Sequence, residues 1–155
     1  KDTVFYDDGR IECGDGSYIG KNSSIQSGKG CVVKIGIKTS ISHNVRIYTN
    51  SANADQDFKL KNTADFVSVC GNISIGDYVW IGANVFITED VSIGDNCVVG
   101  ANAVVNKSLP PHSICGGVPA KVIKFKSYVN YSDVLLYKSL YGSVISEKLI
   151  QSYEN

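Results

Sequence analysis

The chain has 155 residues, 43% of them apolar and 19% charged, which is one domain's length and too apolar a composition for a disordered segment. Its 15 Lys and Arg balance 15 Asp and Glu without any long basic or acidic block, which argues against a nucleic-acid footprint or strong attraction to an anionic membrane. No apolar run nears the roughly 20 residues that span a bilayer, and no charged-then-apolar leader opens the sequence. A cytoplasmic protein is expected, and the opening Lys in place of Met points to a fragment or a processed chain.

From Cys13 an apolar residue returns every six positions, at Ile19 and Ile25 and, after a slip at Gly28-Lys29-Gly30, at Ile35, Ile41 and Ile47. The register breaks at TNSANADQDFKLKNTADF, residues 49–66. That polar segment is too long for a corner and is expected to leave the body as an excursion loop. The period resumes in ISIGDYVWIGANVFITEDVSIGDNCVVGANAVV, residues 73–105, at Ile75, Ile81, Ile87, Ile93, Val99 and Val105, with a Gly following at Gly76, Gly82, Gly94 and Gly100. Such a period would spiral around an α-helix instead of lining one face.

A second apolar set, Val79, Val85, Val91, Cys97 and Ala103, lies two residues before the first. Each unit therefore reads in, out, in, which is a short strand. The remaining residues, such as Gly82-Ala83-Asn84, are turn formers that accept left-handed backbone angles. One strand and one corner per unit predicts an all-β solenoid, a parallel β-helix with a thin Ile/Val interior, over most of residues 11–114. Beyond Lys126 the stretch YSDVLLYKSLYGSVISEKLIQSYEN loses the period. Ser132 and Ser143 are candidate N-caps and Gly142 separates two apolar-rich segments, so one or two short helices are expected over an end of the solenoid or a neighbouring subunit. The organisation read from the chain is a β-helix unit over residues 1–125, carrying the 49–66 loop, and a helical cap over 126–155.

Cys13, Cys31, Cys70, Cys97 and Cys115 form no CxxC pair, and an odd number cannot all pair internally. A reduced set is expected, with Cys13 and Cys97 on repeat positions where small apolar residues pack. The histidines are His43 and His112, with no closely spaced Cys/His set of the kind zinc sites use, so no metal is expected. A metalloenzyme on the same solenoid that holds its metal with three histidines is thereby disfavoured. The mixed outward positions Ser74, Trp80, Phe86, Ser92 and Val98 do not make the regular Thr array of an ice-binding surface.

The runs IGDYVWIGANVFI and GDNCVVGANAVVNKSLPPHSICGGVPAKVIK, together with the loop extruded between repeats, resemble the bacterial hexapeptide-repeat O-acetyltransferases. These include the galactoside and maltose acetyltransferases and enzymes that acetylate surface polysaccharides. The resemblance covers roughly residues 10–125 and implies a left-handed β-helix, a homotrimer, acetyl-CoA as donor and a sugar hydroxyl as acceptor. Left-handedness comes from the resemblance alone, because parallel crossovers are right-handed as a rule. Trimerisation has a physical ground as well, since flat faces carrying large apolar side chains need covering.

Trp80, the one Trp, holds an outward position, either in a subunit contact or as a wall of the donor or sugar site. Around Ala101 and Gly117 the small residues leave backbone groups open to an extended ligand. The resemblance places Lys107, Lys121 and Lys124 against the phosphates of coenzyme A, with Asn106 beside them, and a Lys suits that task as a mobile point charge. Ser24 and Asn50 are the corresponding sugar-binding candidates. Acetyl transfer to a hydroxyl needs a base near neutral pH; His112 sits in a Pro-Pro-His turn and reads as structural, which leaves His43, at a corner just upstream of the loop. The backbone N–H of Ala83 is implied as the oxyanion contact. In the galactoside and maltose enzymes the catalytic His lies a few residues into the loop, where this chain has Ser51, Ala52 or Asn53. The orders of preference are therefore His43 from the adjacent corner, then the loop carboxylates Asp55 and Asp57, then a trimeric scaffold without activity. Amino-sugar N-acetylation is the enzymatic alternative.

Overall fold

Strands of two to five residues alternate with tight corners from Val4 to Phe125 in the computed structural model, which describes residues 2–154. Successive strands pass to successive faces. The first face holds Val4–Tyr6, Ser24–Gln26, Arg46–Tyr48, Phe86–Ile87 and Val104–Val105; the second holds Arg10–Cys13, Val32–Ile35, Ile73–Ile75 and Ser92–Ile93. The third holds Tyr18–Ile19, Ser40–Ile41, Trp80–Ile81, Val98–Val99, Ser113–Gly116 and Lys121–Phe125. Within each face the strands pair in parallel until the last, where Lys121–Phe125 turns back antiparallel on Ser113–Gly116.

The register explains the hexads. Ile25, Ile47, Ile87 and Val105 are aligned on the first face, Ile35, Ile75 and Ile93 on the second, and Ile41, Ile81, Val99 and Cys115 on the third. All of them are buried. An inward residue on each face, repeated coil on coil, makes three aliphatic columns that share one interior. The corners between the third and first faces are closed by Asn22, Asn44, Asn84 and Asn102, with φ of 56, 58, 60 and 64°. Asn tolerates this left-handed geometry better than most residues, which is why it recurs there.

Hydroxyls take over where the early coils lack Val at the corners. Buried Thr39 donates to the Gly76 carbonyl at 2.8 Å and accepts from the Val79 amide at 3.1 Å. Ser23 accepts from the Val45 amide at 3.1 Å. Each hydroxyl thus joins one coil to the next and satisfies itself where it would otherwise be a buried, unpaired polar group.

Between Thr49 and Gly71 the chain leaves the coil as an antiparallel ribbon, Asn50–Ala52 against Ser68–Cys70, closed at its base by the Gly71 amide donating to the Thr49 carbonyl at 2.9 Å. Gln56 holds its two arms together: its side-chain amide donates to the carbonyls of Asn53 and Val67, and its oxygen accepts from the Val67 amide, all at 2.8 Å. The ribbon's return also alters the cysteine reading. Cys70 is brought beside Cys31 and the two form a disulfide, so the cysteines are not all reduced; a separation of 39 residues hid the pair from any local pattern. Cys13 is exposed rather than packed, because its coil is the first of the described stack and only its partner strand Val32–Ile35 covers it.

At the other end, helix α1 (Tyr131–Tyr141) and helix α2 (Glu147–Gln151) pack on the last coil. Phe125 stacks on Tyr137 with centroids 5.5 Å apart, and Val134, Val144, Ile145 and Ile150 join the common core. The caps differ from expectation: Asn130 caps α1 by accepting from the Asp133 amide, and Ser146 caps α2 by accepting from the Leu149 amide. Ser132 instead donates to Asn130, and Ser143 lies in the turn Gly142–Val144 between the helices. Asn130 and Ser146 are the residues with extended backbones at the helix entrances, which is what an N-cap requires. Among the described residues no helix is long and apolar enough to cross a membrane.

Two outcomes follow from this packing. Ile81→Ala, which empties the centre of the third column, is expected to cost about 2–5 kcal/mol of stability, read as a lowered midpoint in denaturant. Cys97 is fully buried, and its thiol is pushed up by the hydrogen bond to Cys115 and by burial. Mass spectrometry after native alkylation at neutral pH should therefore find label on Cys13, and on Cys97 and Cys115 only after unfolding.

Candidate active site

Corners between the third and first faces stack into one ridge. The Asn44 amide donates to the Lys21 carbonyl, Asn84 to His43, Asn102 to Ala83, and Val104 to Gly117, at 2.9–3.1 Å. Lys21, His43, Ala83, Ala101 and Gly117 thus follow one another along the edge. With strands roughly 4.8 Å apart, Ala83 is one coil from His43 and Gly117 is three. Gly117, at φ 94°, turns the ridge into the closing strand.

His43 is exposed, and its Nδ1 accepts a hydrogen bond from the Lys21 amide at 2.8 Å. The ring lies across Gly20, where an added Cβ would come within 2.6 Å of Nδ1. A glycine in the preceding coil is thus what lets the imidazole lie down on the ridge. Because a neutral imidazole has one lone pair in the ring plane, an accepting Nδ1 leaves the proton on Nε2, the nitrogen not held by Lys21.

Two faces flank the ridge. Trp80 projects from the third, 56% exposed, in register with Ser40 and Val98. Ser24 lies on the first, its Oγ 3.2 Å from the Tyr48 hydroxyl. Tyr48 meets Phe86 edge-on at 5.3 Å and Tyr6 at 6.2 Å. Hydrogen bonding to Ser24, and then to Tyr6, lowers the Tyr48 phenol, whereas Tyr6 is pushed up to about 12, chiefly by its bond to Tyr48. This aromatic patch went unnoticed in the sequence, although an aromatic one residue past an inward Ile, as Tyr48 follows Ile47, was a visible signal.

The other sugar-binding and fallback candidates lie elsewhere. Asn50 sits at the base of the ribbon, its Oδ1 accepting from Thr49 at 2.6 Å and its side chain over Gly28. It is separated from His43 by the length of the strand that ends at Tyr48. Asp57 accepts from the Lys59 amide at 2.9 Å and caps the turn Phe58–Leu60, and Asp55 donates its own amide to Asn53 at 3.0 Å. Both carboxylates are exposed on the ribbon.

The lysines divide into a pair and a single. Lys107 donates to the Ser143 hydroxyl at 3.0 Å and Lys121 to the Ser143 carbonyl at 3.4 Å, and with Asn106, Pro119 and Ala120 they line a cavity of about 220 Å³. Lys124 pairs with Ile114 in the closing strands and borders a different cavity beside Tyr128. Among the described residues no group of three or more His, Cys, Asp or Glu could hold a metal ion. Of these features, the lysine contacts of Ser143 carried no sequence signal, which marked it only as a candidate N-cap, since they arise across separations of 22 and 36 residues.

Residues 67–107 match the family described as bacterial transferase hexapeptide, six repeats. A putative acetyltransferase of Staphylococcus haemolyticus is 65% identical over 52 residues, a match that spans 34% of this chain and 27% of the relative. A maltose O-acetyltransferase from Clostridium difficile 630 is 32% identical, with 79% of this chain and 68% of that one covered and a TM-score of 0.53. A hexapeptide-repeat acetyltransferase from Vibrio cholerae O1 biovar eltor, solved with acetyl-CoA, is 30% identical over 79% of this chain and 70% of that one, with a TM-score of 0.54. AntD from Bacillus cereus, an N-acyltransferase solved with dTDP-4-amino-4,6-dideoxyglucose and CoA, shares the fold at 22% identity and a TM-score of 0.70, covering 90% of this chain and 73% of its own. Three faces of parallel hexad strands, matched by the six-repeat family, define a hexapeptide-repeat transferase. The chain belongs to the hexapeptide-repeat acetyltransferase family.

The hydrogen bond from Lys21 fixes a measurable property of the ridge. Nitrogen-15 NMR of the neutral protein should find the His43 proton on Nε2; a proton on Nδ1 would mean that the Lys21 contact is not made.

Proposed function

We propose that this chain is an acetyl-CoA-dependent sugar acetyltransferase that moves the acetyl group directly to its acceptor, without an acyl-enzyme. The observation that carries this reading is the ridge, which sets His43, Ala83, Ala101 and Gly117 in one line that ends near the paired lysines. Family membership supports acetyl-CoA as the donor. Its phosphates fit Lys107 and Lys121, with Asn106 beside them, while Lys124 would meet the donor only along the neighbouring cavity. Ala101 and Gly117 leave the backbone open to an extended arm, and the Ala83 amide faces the developing oxyanion.

The first reading is O-acetylation, supported by likeness to the maltose O-acetyltransferase. The acceptor oxygen attacks the thioester carbon, the C–S bond breaks and the thiolate leaves with a proton. For His43 to take the hydroxyl proton at Nε2, the ring must shift its own proton to Nδ1 and give up the Lys21 amide. Ser24 and Trp80 flank the acceptor from the two faces, Asn50 meets only a long one, and Asp55 and Asp57 stand as the alternative base. A second reading, N-acetylation of an amino sugar, is favoured by the engaged Nδ1: a neutral amine brings its own lone pair and requires no strong base, so His43 could stay a donor.

The wider proposal includes a left-handed β-helix over residues 1–125 with its loop at 49–66, a cap over 126–155, and a cytoplasmic homotrimer that covers the exposed Trp80 and Tyr18. A role in decorating surface polysaccharide or its precursors fits this class of acceptor. Coenzyme A thiol release should be followed with matched hydroxyl and amino sugars. His43→Ala is expected to lower O-transfer by about 10²-fold or more; unchanged turnover would remove His43 from the chemistry. Turnover confined to amino sugars would select the second reading, and binding of acetyl-CoA without turnover on any sugar would select the inactive scaffold.

A further inference from the structure

The turn Gly142–Val144 reaches back from the helical cap to the end of the coil, and the way it meets Lys107 and Lys121 is unusual. One residue supplies both contacts: the Ser143 hydroxyl oxygen accepts from Lys107 at 3.0 Å and the Ser143 carbonyl oxygen from Lys121 at 3.4 Å. Two ammonium groups therefore converge on two oxygens of a single small group. Among the described residues neither lysine has a carboxylate partner, the ion pairs there being Arg10 with Glu12 and Lys138 with Glu147. Two like charges drawn together without a counter-charge repel each other, and neutral oxygens relieve that only weakly. A phosphate would meet the same donors with full negative charge and shorter, stronger bonds.

The turn is anchored rather than loose. Val144 and Ile145 are buried, and Lys138 donates to the Ile145 carbonyl at 2.7 Å while pairing with Glu147 at 2.9 Å. Ser143 is thus held at the rim of the cavity formed by Asn106, Pro119, Ala120 and the two lysines. Its hydroxyl accepts from Lys107, and its own proton has no acceptor among the described residues, so it is available to an anion in that cavity.

We propose that Ser143 is a phosphate ligand, completing with Lys107 and Lys121 a three-donor cradle for one phosphate of the acetyl donor. In the unliganded protein its two oxygens hold the ammonium groups in place; on binding, the Ser143 hydroxyl donates to the phosphate and Lys121 exchanges the Ser143 carbonyl for a phosphate oxygen. This assignment rests on the donor reading above, and it makes the cap part of the donor site rather than only a cover for the coil.

Calorimetric titration of the full chain with CoA, using the unaltered protein, Ser143→Ala and Ser143→Asp, tests it. Loss of one hydrogen bond to a charged group is expected to weaken CoA about tenfold in Ser143→Ala. Ser143→Asp should weaken it more, because its carboxylate takes the place of the anion. Matching thermal midpoints would show that the weakening is not unfolding, and Ser143→Ala alone decides if the Asp variant does not fold. Titration with dephospho-CoA identifies the source: an undiminished penalty assigns the pyrophosphate, and a penalty that disappears assigns the 3′-phosphate. CoA binding undiminished in both variants overturns the Ser143 assignment while leaving the donor reading intact, whereas an unaltered chain that binds no CoA removes both.

Discussion

Parallel backbone pairing between coils is the interaction on which the rest of the molecule depends. It holds each inward aliphatic directly over its counterpart, so that the interior is three columns rather than a diffuse core. The same pairing carries the corners along with it. Residues that are 40 and 18 positions apart, as His43 is from Ala83 and Ala83 from Ala101, become neighbours because the strands before them are hydrogen-bonded in register. The columns and the ridge both follow from one set of bonds.

That construction limits what His43 can do. A corner residue has little freedom, and its ring here is flattened onto the previous coil with one nitrogen committed to a backbone amide. The commitment orients the imidazole but selects the tautomer that donates from Nε2. On the proposed reading, the choice between a hydroxyl and an amine acceptor is tied to how firmly Lys21 holds that nitrogen. The aromatic patch of Tyr6, Tyr48 and Phe86 lies on the adjacent face, where apolar surface and phenolic hydroxyls are offered together.

The periodic part of the fold was legible because an Ile or Val recurs wherever a strand crosses the interior, from Ile25 to Val105, and turn formers recur between them. The corner alignment could be read from the same spacing, since Ala83 and Ala101 occupy equivalent places in successive coils. What could not be read depends on contacts between segments of unrelated pattern. Cys31 meets Cys70 only through the path of the ribbon, and Ser143 meets its lysines only through the docking of the helices. The caps fell on Asn130 and Ser146 because backbone conformation, not residue type alone, decides which polar side chain faces the free amides. The orientation of His43 was hidden for a similar reason, as it depends on a glycine in another coil.

The ribbon leaves and rejoins the coil without breaking its register: Ile47 still pairs with Ile87, as Ile87 does with Val105. Its length and composition are thus decoupled from the scaffold, apart from the ties of Cys70 to Cys31 and Ser51 to Glu89 and the seat of Asn50 over Gly28. A lineage can rewrite these residues wholesale, lengthening or replacing them, while the prism beneath keeps closing on itself. Such a segment is a graft point, where new surface can be acquired without re-solving the folding problem.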